Sequence, residues 1–146
     1  MARNNTMKDR LPAWLTSLAL ISGLIHAQTS PVRPGIDLLE QSEALANLHV
    51  GLITNHTGRT SDGRSTLSVL LASKRCKLTA LFAPEHGFHG IAEGTVADSS
   101  ETTSGLRIHS LYGATRKPTP EQLAGLDALV FDIQDIGCRF YTYIAT

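Results

Sequence analysis

Three short polar clusters in this sequence carry side chains able to do chemistry. Glu85, His86 and His89 stand among glycines in LFAPEHGFHG, residues 81–90. Asn55, His56 and Thr57 follow the apolar run VGLIT, and Asp132, Gln134 and Asp135 end the run LVF. Glu85 is the leading candidate for catalysis. It comes directly after an apolar run stopped by Pro84, and Gly87 and Phe88 follow close behind. Apolar surroundings favour a neutral carboxyl, the state in which it can act as a general acid. Such carboxyls also occur in structural networks, so a plain loop residue is the competing reading.

Each of the other clusters has a duller explanation. In NHTGRTSDG, Asn55, Thr57 and Gly58 suit a turn as well as a ligand loop. Asp132 and Asp135, three apart after an apolar run, match carboxylate pairs that hold magnesium in some hydrolases. More often such residues cap a helix or pair with an arginine, and Arg139 is nearby. His86 and His89 lack a HExxH helix, which weakens a metal reading. No GxGxxG or GxxxxGK[ST] follows the first apolar run, and no GxSxG is present. Dinucleotide binding, nucleotide-phosphate binding and a serine nucleophile elbow therefore lack their main signs. No cofactor or metal is expected.

Elements must bring these clusters together. After the SPVRPG linker, IDLLEQSEALANL places Ile36, Leu39, Glu43 and Ala46 on one face and predicts a helix over 36–48. HVGLITN predicts a strand, STLSVLLASK a helix with Ser65 or Thr66 as its N-cap, and KLTALFA a strand ended by Pro84. A long polar loop covers 85–105. LRIHSLYG alternates as a strand; Leu106, Ile108, Ser110 and Tyr112 share one face, and Arg107, His109 and Leu111 the other. TPEQLAGL has Thr119 as N-cap and Pro120 at the first helical position. DALVFDI is a continuous apolar run, expected to be buried on both faces. RFYTYIAT could open a further helix.

That order predicts an α/β, Rossmann-like three-layer sandwich with a mostly parallel sheet. In such sheets ligands bind beyond the carboxyl ends of the strands. All three polar clusters then fall at strand ends, which argues for one shared site.

Composition limits the rest. A chain of 146 residues, 42% hydrophobic and 18% charged, suits one small globular domain. Arg3, Lys8 and Arg10 precede LPAWLTSLALISGLI, and Ala27 supplies a small residue before Gln28. Residues 1–27 are read as a signal peptide, 28–35 as a linker and 36–146 as the N-terminal part of a Rossmann-like domain, expected to be truncated. The apolar run falls short of the roughly 20 residues a membrane span needs. No stable membrane anchor is therefore expected after cleavage, and export to the periplasm or medium is. Loss of residues 1–27 removes three basic and one acidic side chain, so the formal charge of +0 turns slightly negative. No basic stripe recommends a nucleic-acid partner. Cys76 and Cys138 are read as two separate buried thiols, since neither belongs to a CxxC pair.

Read together, VGLITNHTG, LFAPEHGFHG, LYGATRKPTPEQL and LVFDIQDIGCRFYTYI resemble the N-terminal part of the NamZ-type exo-β-N-acetylmuramidases, from about Val50 to Thr146. The resemblance implies a secreted or periplasmic glycoside hydrolase that releases terminal non-reducing N-acetylmuramic acid from peptidoglycan fragments. It makes Glu85 a catalytic residue. It also lines the pocket with Asn55, His86, Asp132, Gln134, Asp135, Arg139 and Tyr141, from the DIQD and RFYTY segments among others. Muramic acid saccharides are the expected partners. The family's second catalytic glutamate is expected beyond Thr146, so residues 1–146 alone are expected to be inactive. The chain departs from the family in NHTG, where NQTG or NPTG is usual, and in the less regular acidic loop IAEGTVADSSETTSG. Two other readings use the same residues: a non-catalytic cell-wall sugar-binding module, and a metal-dependent hydrolase built on Asp132 and Asp135.

Overall fold

In the computed structural model, which describes residues 32–39, 41–139 and 141–145, the run HVGLIT becomes β1 (His49–Thr54). It lies in the interior of a five-stranded sheet, which is why its middle, residues 50–53, is apolar. On one side it pairs in parallel with β2 (Lys77–Ala83) and on the other with β5 (Ala128–Asp132). β2 pairs in parallel with β4 (Arg107–Ser110), and the two-residue β3 (Ser99–Ser100) runs antiparallel along the edge. The strand order is β3-β4-β2-β1-β5. The fold is α/β with a mostly parallel sheet, as the pattern of elements predicts.

One irregularity sets the packing of β2. The register runs from Val50↔Leu78 to Gly51↔Ala80, so Thr79 is an extra residue in β2. The bulge brings Leu78 onto the same face as Leu81 and Ala83, where Leu52, Leu70 and Ile108 complete the larger core. Ala80, Phe82 and Leu111 build a smaller core on the opposite face, with Ile53, Leu123 and Leu126 against it. Gly51 permits that second face. A Cβ there would sit 2.7 Å from Leu129 Cδ2, 2.8 Å from Leu126 Cδ1 and 2.9 Å from Phe82 Cε2.

The helices are short. α1 (Gly35–Leu39) ends far earlier than the predicted 36–48. Ser42 Oγ accepts from the Ala44 amide, a local bond that competes with helix propagation. Successive turns follow instead, and Asn47 closes them in the left-handed region at φ 62°. Ile36, Leu39 and Leu45 still face the core, so the periodicity is correct in sidedness though not in length. α2 (Thr66–Ala72) starts where Ser65 Oγ accepts from the Ser68 amide, and buries Thr66, Val69 and Leu70. α3 (Pro120–Leu123) is one turn with a full capping box between Thr119 and Gln122. The RFYTYIAT segment gives only a 3-10 turn, Tyr143–Ala145.

Two further expectations are corrected. β5 is not buried on both faces: Leu129 and Phe131 are 43% and 42% exposed, because among the described residues only the single turn of α3 and its flanks cover that side. The loop over 85–105 is not wholly irregular. Asp98 accepts from the Ser110 amide at 2.9 Å, and β3 then pairs with β4. Cys76 and Cys138 are free, and both are half-buried rather than fully buried. The proposed signal peptide and the first half of the linker lie outside the described residues. Among the described residues, no helix is long and apolar enough to cross a membrane.

Candidate active site

Counted without β3, the parallel strands run third, second, first, fourth across the sheet. The direction of winding therefore reverses between β1 and β5, and a crevice opens beyond their carboxyl ends. The segments leaving all four parallel strands converge on this edge.

The β1–β5 junction is tightly tied. Thr54 Oγ1 donates to the Asp132 carbonyl at 2.6 Å. Gly58 packs so closely that a Cβ would stand 2.3 Å from Thr54 Oγ1 and 2.6 Å from that carbonyl. Thr66 Oγ1, at the start of α2, donates to the Asp132 carboxylate. Thr57 Oγ1 donates to Asn55 Oδ1 at 2.6 Å and accepts from the Gln134 amide at 2.9 Å, bridging the two strand ends.

These bonds orient Asn55. Its Oδ1 also accepts from the Thr57 amide at 2.9 Å, which fixes which end of the carboxamide is oxygen. Asn55 is only 3% exposed, yet its Nδ2 has no hydrogen-bond partner among the described residues. A buried donor left unpaired costs about 1–3 kcal/mol, a cost a bound acceptor would remove.

Glu85 emerges half-buried from β2, behind the buried Pro84. It borders a cleft of about 210 Å³ with Leu111, Tyr112, Arg116, Thr142, Tyr143 and Ala145. Burial raises the Tyr143 phenol above its ordinary value, and Tyr141 and Glu85 add to the rise; the Asn55 side chain offsets part of it. The Asn55 amide thus acts on the phenol without reaching hydrogen-bond geometry. Tyr143 is a neutral donor at physiological pH. Tyr141 meets it edge-on, ring centroids 5.1 Å apart.

The loop after Glu85 is held in an unusual backbone shape. His86 has φ 67°, a left-handed conformation that costs a non-glycine residue on the order of 1 kcal/mol. Its Nδ1 bonds the Ala92 carbonyl at 3.0 Å, and the Ala92 amide donates back to the His86 carbonyl at 3.1 Å. Gly90 lies against His56, where a Cβ would come within 2.2 Å of the imidazole. Beside this contact, His56, Arg59, Phe88 and His89 border a second recess that reaches Asn55.

The sequence-derived residues separate on this geometry. Glu85 borders the cleft, and Asn55 turns its free amide toward the same region. His86 is exposed and spends its ring on Ala92, so it shapes the loop. Asp132 is engaged by Thr66, which makes it a tie between β5 and α2. Gln134 and Arg139 are exposed and do not border the cleft. Asp135 Oδ1 accepts from the Gly137 amide, and its buried Oδ2 is unpaired. Among the described residues no group of three or more His, Cys, Asp or Glu side chains could hold a metal ion. From the RFYTY segment, Thr142 and Tyr143 border the cleft. Tyr112 and Arg116 were not among the expected site residues. Their position after an alternating strand, in LYGATRKP, is the signal that marks them.

Comparison with known proteins identifies the family of the chain. The family described as Exo-beta-N-acetylmuramidase NamZ, N-terminal, matches residues 50–146. The Peptidoglycan beta-N-acetylmuramidase NamZ of Bacillus subtilis (strain 168) is 40% identical over 155 aligned residues, covering 96% of this chain and 37% of that protein. A solved DUF1343 family protein from Bacteroides fragilis aligns with a TM-score of 0.69 and 44% identity, over 77% of this chain and 29% of its own. A second from the same organism aligns with a TM-score of 0.62 and 32% identity, over 80% and 29%. The chain thus spans about a third of the length of these relatives. It belongs to the NamZ N-terminal family of exo-β-N-acetylmuramidases.

Proposed function

We propose that this chain supplies one side of the catalytic cleft of an exported exo-β-N-acetylmuramidase. The enzyme would act in the periplasm or outside the cell, removing terminal non-reducing N-acetylmuramic acid from peptidoglycan fragments. The observation that carries the reading is Glu85 in a cleft at the carboxyl edge of the sheet, within a chain of this family.

Glycoside hydrolysis generally uses two carboxyl groups, one protonating the leaving oxygen and one attacking or activating water at the anomeric carbon. Glu85 acts as the acid. Tyr143 and the Asn55 amide supply donors that orient the sugar, and the rings of Tyr112 and Tyr143 give it an apolar wall. The second carboxyl comes from sequence beyond residue 146, or the sugar's own acetamido group takes its place. Residues 1–146 alone are therefore expected to be inactive, and turnover by that purified piece would refute this.

The test is release of free N-acetylmuramic acid from a MurNAc–GlcNAc disaccharide by the longest form the gene encodes. No release by wild type overturns the activity; undiminished release by Glu85→Gln overturns the role. Binding without turnover would instead mark a sugar-binding module. Loss with chelator, restored by magnesium, would mark the metal-dependent hydrolase.

A further inference from the structure

Arg116 has no part in the hydrolysis described so far, yet it borders the same cleft as Glu85. It is the one cationic side chain among the described residues that border it. Its guanidinium lies 4.5 Å from the centroid of the Tyr112 ring, and no carboxylate among the described residues pairs with it. The cleft is thus bordered by a cation that makes no salt bridge among the described residues.

The segment that carries it is fixed to the sheet. The Tyr112 amide donates to Ser110 Oγ at 3.2 Å, and its carbonyl accepts from the Val96 amide at 3.0 Å. Thr115 Oγ1 donates to the Lys117 carbonyl at 2.9 Å. Gly113 runs against neighbouring backbone, where a Cβ would lie 3.1 Å from the Val96 carbonyl. Stacking on Tyr112 holds the planar guanidinium in place while leaving its N–H fork free. A preorganised fork of this kind suits a planar, bidentate anion, above all a carboxylate.

We infer that Arg116 is the subsite for a carboxylate carried on the substrate sugar, the group that sets muramic acid apart from glucosamine. This rests on the muramidase reading above. N-acetylmuramic acid differs from N-acetylglucosamine only by a lactyl ether on O3, whose carboxylate is the single charge on the sugar. A sugar placed with its glycosidic oxygen at Glu85 lies in the cleft that Arg116 borders from the β4 side. The acid thus acts on the bond while Arg116 selects the sugar.

The test uses the longest form of the protein its gene encodes, as wild type, Arg116→Ala and Arg116→Lys. Three disaccharides serve as substrates, differing only at O3 of the terminal sugar: the free lactyl carboxylate, its neutral methyl amide and a bare hydroxyl. Wild type is expected to show a KM roughly 10- to 100-fold lower on the carboxylate than on the amide, the range of a charge-assisted pair. Arg116→Ala abolishes that preference by raising KM on the carboxylate, with the loss falling on KM and not on kcat. Arg116→Lys keeps the charge without the fork and recovers part of the preference. Equal KM values for carboxylate and amide in wild type, or a preference that survives in Arg116→Ala, overturn the subsite while leaving the hydrolase intact. If wild type hydrolyses none of the three, the activity falls. Equilibrium binding of N-acetylmuramic acid and its methyl amide to wild type and Arg116→Ala then decides the subsite on the same criterion.

Discussion

Two regions at the carboxyl edge of one sheet treat their polar groups in opposite ways. At the β1–β5 junction, the hydroxyls of Thr54, Thr57 and Thr66 are all bonded to protein atoms, and Asp132 is engaged through both its carbonyl and its carboxylate. Beside it, Arg116 borders the cleft with its guanidinium on the Tyr112 ring and no carboxylate paired to it among the described residues, and the buried Asn55 Nδ2, at the neighbouring recess, has no partner there. Groups satisfied within the protein hold the strands in register. Groups left wanting are the ones a ligand can use. The contrast moves Asp132 out of the ligand set and brings Arg116 and Tyr143 into it.

That division can be broken from either side. Glu85→Gln in the longest encoded form should lower kcat by roughly 10²- to 10⁴-fold, the usual worth of a general acid. Its melting temperature should barely move, because the Glu85 carboxylate makes no hydrogen bond among the described residues. A variant equally reduced in stability would place Glu85 with the junction instead. Gly58→Ala should do the reverse. Forcing a methyl group to 2.3 Å from Thr54 Oγ1 costs about 1–3 kcal/mol of overpacking, read as a lower urea midpoint. Unchanged stability would show that the close approach is not needed. Thr66→Val removes the hydroxyl from the Asp132 carboxylate and should destabilise by about 1–3 kcal/mol in the same assay.

The smallest effect is expected away from both regions, in the turn after β3. The Glu101 carboxylate accepts from the Ser104 hydroxyl and amide and from the Thr103 amide, which lowers its pKa to about 2. A pKa depressed in the folded state stabilises above the ordinary carboxylate value and loses that contribution as pH falls through the folded one. Amide exchange at Thr103 and Ser104 should therefore quicken as pH is lowered from 4.5 toward 2, after correction for intrinsic rates. Flat corrected rates would dismiss the carboxylate as the tether of this turn.

Much of the fold is legible in the sequence where local chemistry decides the outcome. KLTALFA forms β2 over the very residues its apolar run and Pro84 mark out. Ser65 and Thr119 cap the helices that their side chains favour. Legibility fails where the outcome depends on what lies across the sheet. Nothing in DALVFDI reveals that Leu129 and Phe131 face a thinly covered side. A local bond from Ser42 shortens a helix that periodicity alone would extend. The site follows the same rule. Glu85 is marked by its neighbours in sequence, whereas Arg116 and Tyr143 acquire meaning only when segments after β4 and β5 meet. Asp132 reads equally well as a ligand or as an anchor until Thr66 is seen beside it.

The extra residue at Thr79 bears on how this chain tolerates insertions and deletions. Because two residues of β2 stand opposite one step of β1, the parity of the strand changes partway along it. Its first half is phased by Leu78 against the larger core, and its second half carries the frame that delivers Pro84 and Glu85 to the cleft edge. Removing Thr79 would restore strict alternation and sacrifice one phase to the other. Either Leu78 swings away from its core, or every side chain from Ala80 onward changes sides. A one-residue deletion here, six residues before the acid, is thus a frameshift in three dimensions, although the reading frame of the gene stays intact.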